Sequence, residues 1–158
     1  MRHVGGTVMS PGLVLFVAFV FLSVFNAGAM TTLQLQHYAI YPQVGAANFV
    51  AYIRANNKAA LVPVILPALL LLVVSLALVW VRPPVMQASE STAAFVLNVI
   101  QLASTAIWQR RLQSEMAVTG YDEAKVRLLV ATNWVRTMAF LVQAVLAVAI
   151  VGRCVARA

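Results

Sequence analysis

Four apolar runs, at about residues 13–37, 61–81, 92–109 and 126–151, constrain this chain more than any other feature. At about 1.5 Å of rise per residue, roughly 20 helical residues cross the hydrocarbon of a bilayer. Backbone polar groups in lipid must be satisfied within the spanning structure, so runs of this length and polarity read as helices. The composition agrees. Of 158 residues, 63% are hydrophobic and 9% charged, against about 25% charged in an average soluble domain. A soluble globule of this size has too little interior to hide that apolar surface, and disorder requires the opposite composition. The expected fold is all-α: a single integral membrane domain over residues 1–158, built as an antiparallel four-transmembrane-helix bundle.

Punctuation residues set the boundaries. Ser10-Pro11 reads as a helix start. Arg2, an apolar stretch and Ala27-Gly28-Ala29 together look like a secretory signal with a cleavage site, but three further spans make a retained first helix the better expectation. Tyr41-Pro42 and Gly45 break that helix. Phe49, Tyr52, Ile53 and Asn56 then recur with helical spacing. They predict a short amphipathic helix in the interface, or the leading turns of span two. Pro63 and Pro67 stand near the start of span two, and Trp80 with Arg82-Pro83-Pro84 closes it. Ser89 or Ser91 is expected to cap span three, which Trp108 and Arg110-Arg111 close. A turn at Gly120 leads into span four, which starts near Ala124.

The net charge is +7, which in a soluble protein would point to nucleic acid. Here the basic residues stand mostly at the ends of apolar runs: Arg54, Lys58, Arg82, Arg110, Arg111, Arg153 and Arg157. That placement fits lipid headgroups and snorkelling, and no nucleic-acid partner is expected. One cysteine, Cys154, excludes an internal disulfide and multi-cysteine metal sites. Antiparallel spans put both termini and the 82–91 link on one side. Counting Arg and Lys favours the other side as cytoplasmic.

The polar residues of the spans are distributed unevenly. Gln34, Gln36 and His37 end span one, and Arg54, Asn56 and Asn57 precede span two. Gln109 ends span three, and Asn133, Arg136 and Thr137 begin span four. Chain direction brings all four groups to one end of the bundle. Polar groups at membrane depth are costly and face the bundle interior or a water-filled cavity, so a polar pocket with an apolar floor is expected there. Arg136 either snorkels or pairs with a backbone carbonyl, or it anchors a phenolate, carboxylate or phosphate. His37 is hydrogen-bonded at the interface, a general base, or a haem or metal ligand, for which His3 is the only other histidine and no acidic residue lies inside a span. Asn133 and Thr137 share a face that serves as a helix–helix seam or as part of the site. Asn98, Gln101, Thr105 and Gln109 form a stripe that reads first as packing glue. Tyr38, Tyr41, Trp80 and Trp108 are most simply belt aromatics.

Two sequence elements carry a resemblance. The run from His37-Tyr38 through Tyr41-Pro42 to Gly45, followed by Phe49, Tyr52 and Pro67, is one; Thr132-Asn133-Trp134-Val135-Arg136-Thr137 is the other. Over about residues 26–145 the chain resembles small bacterial four-span membrane proteins related to the anthrone-oxygenase-like family. The resemblance implies a multi-pass protein of the bacterial inner membrane and, faintly, an oxidative activity on a polycyclic phenol. Members often carry a histidine where this chain has Asn56-Asn57, and another where it has Arg110-Arg111-Leu112-Gln113. Both departures count against carrying over histidine-based catalysis or metal binding.

Three functional classes follow. The first is a cofactor-independent enzyme with His37, Asn133 and Arg136 as catalytic residues. Its substrate would be an apolar or aromatic molecule bound by Tyr38, Tyr41, Asn57, Trp108, Gln109, Trp134 and Thr137. His37 would deprotonate a phenol while Arg136 and Asn133 hold the oxyanion. The second is a non-catalytic subunit whose polar end meets a lipid headgroup, a membrane-protein partner or a second copy. The third, a transporter, lacks an acidic intramembrane relay and repeat halves. No cofactor or metal is expected.

Overall fold

The structure is a computed structural model that describes residues 9–157. Arg2 and His3, considered above for a signal sequence, topology and metal ligation, lie outside the described residues. The fold is an all-α four-helix bundle, and the chain is a multi-pass integral membrane protein. Four continuous helical segments are long and apolar enough to cross a membrane: Pro11–Val44, Leu61–Trp80, Ala88–Thr119 and Glu123–Val155. They are spans one to four below.

Span one begins with α1 (Pro11–Thr32), whose first turn is capped by Ser10 Oγ accepting from the Leu13 N–H at 3.3 Å. A π-helical turn, Leu33–His37, and a 3₁₀ stretch, Tyr38–Val44, complete the span. It stops at Gly45, where φ is 76°. Next comes α2 (Ala46–Ala59), the amphipathic helix read from the sequence. Its apolar face packs on the top of span three. Span two is a second π turn, Leu61–Ile65, followed by α3 (Leu66–Trp80). Span three joins α4 (Ala88–Ser104), a third π turn at Thr105–Gln109 and α5 (Arg110–Thr119). Span four is the single helix α6 (Glu123–Val155), capped by the Asp122 carboxylate on the Lys125 N–H.

Two of these boundaries differ from the sequence reading. Span three starts at Ala88, so Ser89 and Ser91 lie inside the helix. The cap is instead reciprocal, between Gln87 and Glu90. The same helix does not stop at Arg110-Arg111. Both arginines are exposed, and Arg111 pairs with Glu115 one turn on. The helix therefore leaves the apolar zone without breaking and ends at Gly120, where φ is 88°.

Two apolar clusters result. The larger fills the bundle, with Phe16, Phe19, Met30, Leu71, Leu78, Phe140 and Ile150 at its centre. The smaller joins Tyr38, Tyr41, Phe49 and Ile53 to Leu112, Met116, Val126 and Leu129. It forms a lid of α2 on α5 and α6 over one end of the bundle. The opposite end carries the Arg82–Gln87 link. There Gly12 approaches the Val81 carbonyl closely, and Arg153 pairs with Glu90 at 2.6 Å. Both described chain ends therefore lie at the end of the short link, as alternation of span direction requires.

Candidate functional site

Three π turns lie at the lidded end, one in each of spans one, two and three. In each, an N–H reaches a carbonyl five residues back: Tyr38 to Leu33, Leu66 to Leu61, and Arg110 to Thr105. Such widened turns are rare and gather at functional sites. Pro63 accounts for one of them, because its ring opposes the normal helical bond to the carbonyl four residues back. The other two have no proline. The π turn of span two packs on span one and α2, while that of span three packs on span four; the two do not pack on each other. Further from the lid, α3 and α4 pack closely. Spans two and three therefore splay toward the lid.

The splay leaves a cavity of about 510 Å³. His37 and Tyr38 of span one, Asn56 and Asn57 of α2, Gln109, Arg110, Gln113 and Ser114 of span three and Arg136 of span four line its polar end. Met30, Leu33, Ile65, Leu69, Leu72, Leu102 and Phe140 line the rest, interrupted by Asn98 and Gln101.

Arg136 neither snorkels nor bonds a backbone carbonyl. It is 6% exposed. Its two terminal nitrogens donate to Thr105 Oγ1 at 3.4 Å, to the Tyr38 hydroxyl at 3.4 Å and to Asn133 Oδ1. Its Nε has no partner. No carboxylate among the described residues pairs with it. The chain has four Asp and Glu residues, and each is engaged elsewhere. Glu90 holds Arg153, Glu115 holds Arg111 and Lys125, Glu123 holds Arg127, and Asp122 caps α6. An arginine at the centre of a membrane helix costs about 2.5–3.5 kcal/mol even on the mildest scale. Neutral hydrogen-bond partners lower that cost but leave the charge unbalanced.

Asn133 and Thr137 stand behind Arg136 and do not line the cavity. Both are fully buried. Asn133 Nδ2 donates to Gln34 Oε1 at 2.6 Å, and Gln34 Nε2 donates to the Val130 carbonyl at 3.2 Å. Asn133 also receives the Arg136 guanidinium. The Asn133–Gln34 seam thus fixes span four against span one and aims Arg136. Gln109 is buried at the rim, its amide oriented so that its oxygen accepts from the Asn133 N–H at 3.1 Å.

His37 lies on the cavity wall among tyrosines. Its ring centroid is 5.7 Å from Tyr38, 5.3 Å from Tyr41 and 6.3 Å from Tyr52. Its Nε2 is buried without a partner, as is Oδ1 of the neighbouring cavity residue Asn57. In the lid, burial pushes the Tyr52 phenol above its ordinary pKa. Tyr41 is fully buried and accepts from Asn56 Nδ2 at 3.3 Å, so it supports the cavity wall without lining it. Tyr38 and Tyr41 are thus interior residues and not belt aromatics. A membrane-belt reading overlooks that each hydroxyl has a partner inside the fold. Trp108 and Trp134 are on the outside of the bundle, 37% and 42% uncovered by protein, and line no part of the cavity.

Sequence reasoning expects an apolar floor but does not identify the span-two side chains that form it. The side chains of span two that line it look like any other lipid-facing residues, and only Pro63 hints at a distorted turn. Among the described residues no three His, Cys, Asp or Glu side chains converge. What the site offers is one buried cation, Arg136, with the exposed Arg110 at the lidded rim, an unpartnered imidazole nitrogen and several amides around an apolar trough. The chain matches no family model, and comparisons with curated proteins and with solved structures likewise find no match.

Proposed function

We propose that this membrane protein binds an apolar or aromatic small molecule through an anionic oxygen, with Arg136 as the anchor. One observation carries the reading: a buried guanidinium lines the cavity with an unpartnered Nε and no carboxylate to balance it. A ligand oxyanion would supply the missing charge, and arginine's planar fork suits carboxylate, phenolate or phosphate oxygens. The cavity volume falls in the range of sites for single small molecules. The test is calorimetric titration of the detergent-solubilised full chain with 1-naphthoate, beside mass spectrometry of co-extracted material. Arg136→Gln is expected to weaken naphthoate by at least about tenfold, or about 1.4 kcal/mol. Equal affinity in the variant would sink the reading. A stoichiometric protein partner in place of a small molecule would favour the subunit alternative.

A catalytic form of this reading is favoured by His37, whose free Nε2 lies at the same cavity end as Arg136. His37 would take the proton of a bound phenol, and Arg136 would hold the phenolate. The ring, made electron-rich, would then be open to oxidation by dioxygen. The oxygenase-like activity and the bacterial inner membrane rest on the sequence resemblance, and both stand here as proposals. Asn133 acts in this scheme as a positioning residue, through its bond to Arg136.

A further inference from the structure

The cavity opens sideways, toward lipid. Leu61 and Leu69 on its span-two wall are 55% and 45% uncovered by protein, and Leu102 on its span-three wall is 46% uncovered. The two π turns that flank this gap do not pack on each other. Through the apolar zone the lining runs from Leu61 to Leu72 in span two and from Gln109 to Asn98 in span three, and Arg110, Gln113 and Ser114 carry it further toward the lid. Each apolar-zone stretch rises about 16 Å, close to the roughly 15 Å of hydrocarbon in one leaflet. The apolar part of the trough is therefore about one leaflet deep, lies along the spans and is apolar at its lipid-facing rim. Arg136 bonds Thr105, about 6 Å from the Gln109 level and about 10 Å from the Asn98 level. The charge thus sits toward the lidded end, with a mostly apolar channel beyond it.

On the reading that Arg136 anchors an anion, we propose that the natural ligand is a single-chain amphiphile taken from the bilayer itself. It is a long-chain carboxylate that enters sideways between spans two and three. Its carboxylate rests on Arg136, and its tail runs past Leu102 and Leu72 toward Phe140. A carboxylate matches the guanidinium in charge, one for one, and in fork geometry. A phosphate monoester, at about −1.5 to −2, would leave a surplus on the buried Arg136, with only the exposed Arg110 near the rim to take it up. Entry from lipid avoids moving the tail through water, which costs about 0.8 kcal/mol for each CH₂.

The experiment uses the full chain in lipid nanodiscs with nitroxide-labelled stearate, read by electron paramagnetic resonance. A motionally restricted component should saturate near about one stearate per chain. Oleate should displace it and methyl oleate should not. Arg136→Gln should weaken it by at least about tenfold. Ala106→Trp, at an uncovered rim position, should weaken or slow stearate by a similar factor while leaving 1-naphthoate within about twofold. Leu69→Trp, which changes the cavity wall itself, serves as a second rim variant for stearate alone should the first fold poorly. If naphthoate binds through Arg136 but stearate stays unrestricted, the amphiphile is wrong and the anchor stands. If neither ligand binds, both fall. Restriction of a two-chain nitroxide phospholipid in place of stearate would also overturn the proposal, as would unaltered stearate binding in both rim variants.

Discussion

Arg136 donates to the Tyr38 hydroxyl at 3.4 Å, so a span-four cation is held by a span-one phenol at the polar end of the cavity, while Nε of the same guanidinium bonds nothing. An uncompensated buried charge lowers the stability of the empty protein. Arg136→Gln is therefore expected to melt at an equal or higher temperature than the parent when no ligand is present. With naphthoate at about 100 times the parent's Kd, the parent should gain about 2.7 kcal/mol and the variant, binding at least about tenfold more weakly, no more than about 1.4 kcal/mol. Thermal unfolding in detergent, with and without naphthoate, checks this. A variant that is less stable empty, yet gains as much from ligand, would make Arg136 a purely structural residue.

His37 separates catalysis from binding. If the site turns over a phenol, His37→Gln should abolish turnover per folded molecule while changing naphthoate affinity by no more than about threefold, because a general base contributes about 10²–10⁴ to rate. Asn98→Ala should matter less to turnover. Asn98 donates to Ser75 Oγ at 3.0 Å and to the Ala94 carbonyl at 2.9 Å, which makes it mainly a packing residue. Turnover normalised to folded protein is the measurement, and equal rates in the His37 variant would remove the catalytic form.

The seam between spans one and four should register as coupling. Asn133→Ala and Gln34→Ala each break the 2.6 Å bond. Each should cost about 0.6–1.7 kcal/mol, the span measured for hydrogen bonds between membrane helices. The double variant should cost less than the sum, because both single changes remove the same contact. Asn133→Ala should also weaken naphthoate, through loss of the group that orients Arg136. Strict additivity in detergent unfolding would mean the two residues act independently.

Gly12 and Gly28 make a matched pair on α1. A Cβ on Gly12 would lie 3.0 Å from the Val81 carbonyl oxygen and 3.1 Å from the Pro83 nitrogen. Both are backbone atoms and cannot swing aside. Gly12→Val should destabilise by about 1–3 kcal/mol. Gly28 has nothing within 4 Å of such a Cβ. Gly28→Ala should leave stability unchanged or raise it by up to about 1 kcal/mol through helix propensity. Melting temperatures of the two variants test the packing of span one on the short link.

Topology follows from the ion pair of Arg153 with Glu90. In a Cys154→Ser background, single cysteines at the exposed positions Gln87 and Arg157 should label from one side of the membrane. A cysteine at Val118, also exposed, should label from the other. Labelling of residues 87 and 118 from the same side would be incompatible with the bundle.

Much of this arrangement was legible in the residues alone. Length and polarity of the apolar runs dictated four membrane helices, because unpaired backbone in lipid is too costly for any other spanning form. The alternation of direction then put Gln34, His37, Asn57, Gln109, Asn133 and Arg136 at one end. What the runs could not tell was which polar residues face the cavity and which face each other. Asn133 and Arg136 are three residues apart on one helix, yet one is locked in a seam and the other lines the trough. That choice depends on the neighbours that spans one and three present, and those come from distant sequence. The trough itself arises where three helices widen into π turns and two of them part. Of these turns only the one at Pro63 has a cause in the local sequence; the other two, and the opening toward lipid, were decided by how the spans pack.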